Sequence, residues 1–91
     1  MDNHEHVTLA NPSHPGEILR DCIEGHGATV AGTAQQLQVS RAKLNRILAA
    51  KGRIGPDTAL ALERMGWSAA EFWLRLQMKY DLAVERRKQA A

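Results

Sequence analysis

Five times along its 91 residues the chain repeats one arrangement: a helix-starting residue, an apolar stripe at three- and four-residue spacing, and a stopping residue. The starts are His14-Pro15-Gly16-Glu17, Thr29, Ser40, Gly55-Pro56-Asp57 and Ser68-Ala69-Ala70-Glu71. Proline at a first helical position lacks only an N–H that would be unpaired anyway, and Ser, Thr or a first-turn acid satisfies the others. No segment alternates with period two, and no Asn-Gly or Asp-Gly turn joins two apolar runs. The pattern leaves one fold class, all-α with five helices, in a single domain.

The first helix is expected from Pro15 to Gly25 or Gly27, with Ile18, Leu19, Cys22 and Ile23 as its stripe. Thr29 caps a second over Val30 to Leu37, packing through Val30, Ala34 and Leu37. Gln38-Val39 makes a tight turn, and Ser40 caps a third helix that runs to about Ala50 and is closed by Gly52. The fourth opens at Pro56, buries Ala59, Leu60, Leu62 and Met65, and ends at Gly66. Ser68 and Glu71 have the spacing of a capping box, so the fifth is expected from Ala69 to about Glu85, with Arg86-Arg87-Lys88 frayed. The domain thus covers 14–85, between a flexible N-terminal arm (1–13) and a basic tail (86–91).

Several function classes drop out. No apolar run approaches the roughly 20 residues that cross a bilayer, and no signal sequence opens the chain, so no membrane partner and a cytoplasmic location are expected. Cys22, the only cysteine, lies among Ile18, Leu19 and Ile23 and reads as a buried thiol. His4, His6 and His14 fall in or beside the polar terminus without the further ligands of a fixed site, so no metal is expected. Cys22 and His26 have helical spacing but no acid or oxyanion arrangement beside them, and no phosphate-binding glycine loop occurs. Neither enzyme activity nor a cofactor is expected.

Charge is more informative in its placement than in its sum. The net value is only +2, yet Gly25 to Pro56 holds no acid and five cations: Arg41, Lys43, Arg46, Lys51 and Arg53. Setting those five aside from twelve leaves seven basic against ten acidic residues elsewhere, a balance of −3. A positive face on a slightly acidic body orients a protein on a polyanion. Within this stretch the second and third helices form a helix-turn-helix. Small Ala34 lets the two approach, Val39 plugs the turn, and Leu44, Ile47 and Leu48 anchor the third helix from beneath. The opposite side is then free to enter a major groove about 12 Å wide.

Ser40, Arg41, Ala42, Asn45 and Arg46 are the candidate base contacts: Arg41 or Arg46 for guanine, Asn45 for adenine, the Ala42 methyl for thymine. Thr29, Gln36, Lys43, Lys51 and Arg53 are the candidate phosphate contacts. The partner implied is double-stranded operator DNA.

Taken with their flanks, these segments resemble the HigA antitoxin family, small proteins of the Xre-type, lambda-repressor-like helix-turn-helix class. The resemblance rests on His14-Pro15-Gly16-Glu17-Ile18-Leu19, Ser40-Arg41, Leu44-Asn45-Arg46-Ile47-Leu48, Ala59-Leu60-Ala61-Leu62, Phe72-Trp73-Leu74-Arg75-Leu76-Gln77 and Tyr80-Asp81-Leu82, across roughly residues 12–84. It implies two roles: neutralising a HigB-type mRNA endonuclease and repressing the shared operon as a dimer. The chain departs from the family at Gly32, usually Glu, and at Gln38, often Gly. The first should weaken the second helix by about 0.5–1 kcal/mol relative to Ala, and the second should be strained wherever a left-handed residue is needed.

The last helix carries two apolar stripes on opposite sides, Phe72, Trp73, Leu76, Tyr80 and Val84 on one and Leu74, Met78 and Leu82 on the other. Either the other helices enclose both, or one packs on the core and Leu74, Met78 and Leu82 meet a second copy in a homodimer. The residue pattern leaves three readings open: an antitoxin and autorepressor, a solitary repressor, and a protein-interaction module that neutralises a toxin without binding DNA.

Overall fold

The side-chain caps expected at Thr29 and Ser40 are in place. The computed structural model describes residues 12–90, which form α1 (Pro15–Gly25), α2 (Val30–Leu37), α3 (Arg41–Leu48), α4 (Pro56–Arg64) and α5 (Ala70–Ala90). Residues 1–11 of the expected arm, with His4 and His6, lie outside the described residues. Thr29 accepts from the Gly32 N–H and Ser40 from the Lys43 N–H, each at 3.0 Å. Among the described residues no helix is long and apolar enough to cross a membrane.

The first four helices end alike. A left-handed residue follows each (Gly27, Gln38, Ala50 and Gly66), and the next N–H reaches back to a carbonyl five residues earlier. Glycine adopts that conformation freely, whereas at Gln38 and Ala50 it costs roughly 1–2 kcal/mol each. The expectation for Gln38 therefore holds: its φ is 61° and its ψ 40°. Gly32 leaves α2 regular, and a Cβ there would press to 3.1 Å from the Thr29 hydroxyl that caps the helix. On α3 the left-handed stop falls at Ala50 rather than Gly52, so the helix ends at Leu48.

α2 and α3 pack as the expected pair, α1 lies across α3, and α4 and α5 close the other side. Leu19, Leu37, Leu44, Ile47, Leu62 and Trp73 meet at the centre, each no more than 3% exposed. The approach of α1 to α3 is closest at Gly16, where a Cβ would overlap the Ile47 carbonyl.

Three local expectations are corrected. Leu60 is 48% exposed, and Thr58, Ala59, Ala61 and Leu62 take the inward side of α4. Position 60 sits about 200° around the helix from Thr58, facing water. Ser68 forms no capping box: its φ is 72°, and the Ala70 N–H is accepted by the Glu63 carboxylate at 2.7 Å. α5 continues through Arg86-Arg87-Lys88 to Ala90. Good helix formers fill this end, Gln89 donates to Glu85 one turn back, and the basic residues suit the negative end of the dipole.

His14 does more than precede a helix. Its Nδ1 accepts from the Gly16 N–H at 2.8 Å, which places the ring proton on Nε2, 3.1 Å from the Gly52 carbonyl it donates to. The ring also meets Tyr80 edge-on. Burial lowers its pKa, against the opposing pull of the Gly52 carbonyl, Glu17 and Asp81. An unfolded histidine titrates at about 6.5. Between that value and the lower folded one the unfolded chain holds the extra proton, so stability is complete above about pH 6.5 and declines as pH falls through the folded pKa. In urea melts the margin of wild type over His14→Asn, which keeps a capping oxygen but does not titrate, should shrink from about pH 7.5 to about pH 5. A margin independent of pH would contradict this account.

Candidate nucleic-acid interface

α3 is short, and its inner and outer sides are cleanly divided. Leu44, Ile47 and Leu48 are buried, whereas Arg41, Ala42, Lys43, Asn45 and Arg46 are exposed on a helix without an acidic residue. Ser40 stands at its tip, where its hydroxyl is engaged as the cap. The expected base-contact residues Ser40, Arg41, Ala42, Asn45 and Arg46 thus share one exposed element. Thr29 and Gln36 are exposed on the preceding helix and its cap, and Lys51 and Arg53 on the loop that follows α3.

The cations are not equally free. The Arg46 Nη2 donates to the Lys51 carbonyl at 3.0 Å, which ties the guanidinium to the loop ending its own helix. The Lys43 Nζ lies 3.7 Å from Asp57 and the Arg53 Nη1 2.8 Å from Asp81, both pairs solvent-exposed. Such pairs are worth about 0.2–1 kcal/mol, so a phosphate can displace the carboxylate. Arg41 and Lys51 have no ionic partner among the described residues. A hollow of about 450 Å³ between the end of α3 and the start of α4 is lined by Lys43, Arg46, Gly52, Arg53, Gly55 and Asp57.

The acid-free character of the sequence stretch is therefore softened in space by Asp57 and Asp81. Asp57 stands one residue past its end and was legible; Asp81 is remote and left no local signal. Also unforeseen is Gln77, 3% exposed, whose Oε1 accepts from the Ile54 N–H at 2.8 Å while its Nε2 donates to Asp81 at 3.0 Å. It fixes the segment after α3 onto α5. Cys22 is partly covered, and burial together with Asp21 raises its pKa, which keeps it a thiol.

On the far side of α5, Met78 and Leu82 are 51% and 41% exposed and Leu74 is partly covered. They border a hollow of about 390 Å³ that Ile54 and Pro56 also line. The other stripe is shared differently from expectation: Trp73 is fully buried, Phe72, Leu76, Tyr80 and Val84 are partly so, and Ala70, Gln77 and Ala83 complete the inward line.

A short helix pair, a one-signed outer side and a supporting bundle define a helix-turn-helix protein of the Xre type. No protein-family model matches the chain. It is 37% identical over 76 residues to virulence-associated protein A′ of Dichelobacter nodosus, a match spanning 82% of this chain and 66% of that protein's length. The addiction module antidote protein of a HigA family from Coxiella burnetii is similar at a TM-score of 0.79 and 32% identity, with 88% of each chain covered. The Pseudomonas aeruginosa antitoxin HigA, solved with the higBA promoter, reaches 0.82 and 36%, again over 88% of each chain. The chain belongs to the HigA family of antidote proteins.

Proposed function

We propose that this protein is an antitoxin that represses its own operon by sequence-specific binding of double-stranded DNA as a dimer, and neutralises a HigB-type mRNA endonuclease. The observation that carries the DNA-binding part is α3, with Arg41, Ala42, Asn45 and Arg46 exposed over a fully apolar underside. The promoter bound by the similar Pseudomonas antitoxin supports the same choice of partner. Ser40, Arg41, Ala42, Asn45 and Arg46 read the bases, and Thr29, Gln36, Lys43, Lys51 and Arg53 hold the backbone. Leu74, Met78 and Leu82 form the dimer face, which sets two copies of α3 about one helical turn of DNA apart. The toxin role rests on family membership.

Titration with the promoter duplex of its own operon at several salt concentrations tests the DNA-binding reading. The expected result is a log–log slope of several released counterions, near 0.9 for each phosphate, with preference for one sequence. Asn45→Ala should lose about 1–3 kcal/mol of discrimination at one base position and leave the salt slope unchanged. Weak binding without sequence preference would instead favour a protein-interaction module whose basic side meets an acidic protein.

A further inference from the structure

We propose that Arg53 exchanges between Asp81 and a DNA phosphate, so that Asp81, on α5 and outside the helix-turn-helix, sets the affinity of the interface. The inference rests on the DNA-binding reading above and adds a positioning residue to it.

The backbone around Arg53 is held on both sides. The Gly52 carbonyl accepts from His14, and the Ile54 N–H donates to buried Gln77. Only the Arg53 side chain is left to move, and it is 66% exposed. It lines both hollows, the cationic one with Lys43 and Arg46 and the apolar one with Met78 and Leu82. It therefore stands on the ridge between the interface and α5, within reach of either.

Asp81 is fixed in turn. Its Oδ1 accepts from the Gln77 Nε2 at 3.0 Å, which leaves Oδ2 for the Arg53 guanidinium at 2.8 Å. The pair is solvated enough that its hold amounts to no more than about a fivefold bias in an equilibrium. A phosphate, which releases counterions as it is neutralised, can overcome that bias. The carboxylate then acts as a brake: each binding event must first part the pair.

A double-mutant cycle tests the exchange, with a duplex selected by the wild-type chain from a random-sequence pool as probe. Asp81→Asn keeps an oxygen for Gln77 and removes the charge; it should tighten binding about two- to fivefold. Arg53→Gln, at an exposed position, should weaken binding and lower the magnitude of the salt slope by about 0.9. In the Arg53→Gln background, Asp81→Asn should change affinity by less than about 1.5-fold, because the brake has nothing left to hold. An equal gain in both backgrounds would reduce Asp81 to a general charge effect and overturn the exchange alone. So would an Arg53→Gln variant that keeps wild-type affinity and slope. A wild-type chain that selects no sequence would overturn the DNA-binding reading and the exchange together.

Discussion

Replacing Gly16 with alanine is expected to cost about 3 kcal/mol of folding stability, the upper part of the range for overpacking a close contact. For a domain of this size that lowers the melting temperature by about 12–24 °C. The new Cβ would overlap the Ile47 carbonyl oxygen and lie 2.9 Å from its carbon, and both are backbone atoms that cannot turn aside. α1 would have to lift from α3, straining the two hydrogen bonds of His14 as it moved. The sign is the diagnostic part, since glycine to alanine inside a helix ordinarily stabilises by about 0.5–1 kcal/mol. Gly25→Ala, at the last residue of the same helix, is the control, because a Cβ there meets nothing within 4 Å. Equal stability of the two variants in urea melts would mean that α1 does not approach α3 as described.

Met78→Asp should lower operator affinity by about a hundredfold or more, and sedimentation should show a monomer. Met78 is the middle of the exposed Leu74, Met78 and Leu82 stripe and the most exposed of the three. A carboxylate there faces its symmetry mate or neighbouring apolar atoms in any two-fold contact across the stripe, at a desolvation cost no partner offsets. The affinity loss follows because two joined half-site contacts exceed one through effective concentration, commonly by 10²–10⁴. The side chain points away from the core, so the fold should survive. An unchanged mass together with unchanged DNA affinity would remove the stripe from the dimer assignment.

Where sequence reasoning succeeded, the governing interactions were local. α2 runs from Val30 to Leu37 as expected because Thr29 and Gln38, which bound it, act within a turn of their own positions. The division of α3 into a buried and an exposed side follows from helical spacing alone; spacing also marks the second stripe of α5, but only the packing of the other helices leaves it uncovered. Ser68 shows the limit. Its spacing to Glu71 fits a capping box, but the left-handed turn after α4 hands the first N–H of α5 to Glu63, seven residues back. Gln77 and His14 left still less trace, since their partners stand 23 and 38 residues away and no periodicity marks a buried polar side chain that reaches so far. The Asp81 partner of Arg53 was hidden for the same reason, so the sequence overstated how bare the basic side is.

Several of the ties that hold this bundle together have a side chain at one end and the main chain at the other. His14 binds the Gly52 carbonyl, Gln77 the Ile54 N–H, Glu63 the Ala70 N–H and the Trp73 indole the Trp67 carbonyl. A main-chain group cannot be mutated away, so losing the side chain leaves it unpaired, and no second substitution restores the balance by removing its partner. Relatives that drift apart can exchange two members of a side-chain pair in step, but these ties offer only one member to change. A search for correlated pairs of substitutions would therefore pass over these four ties, among them the one between Gln77 and Ile54 that fixes α5 to the loop after α3.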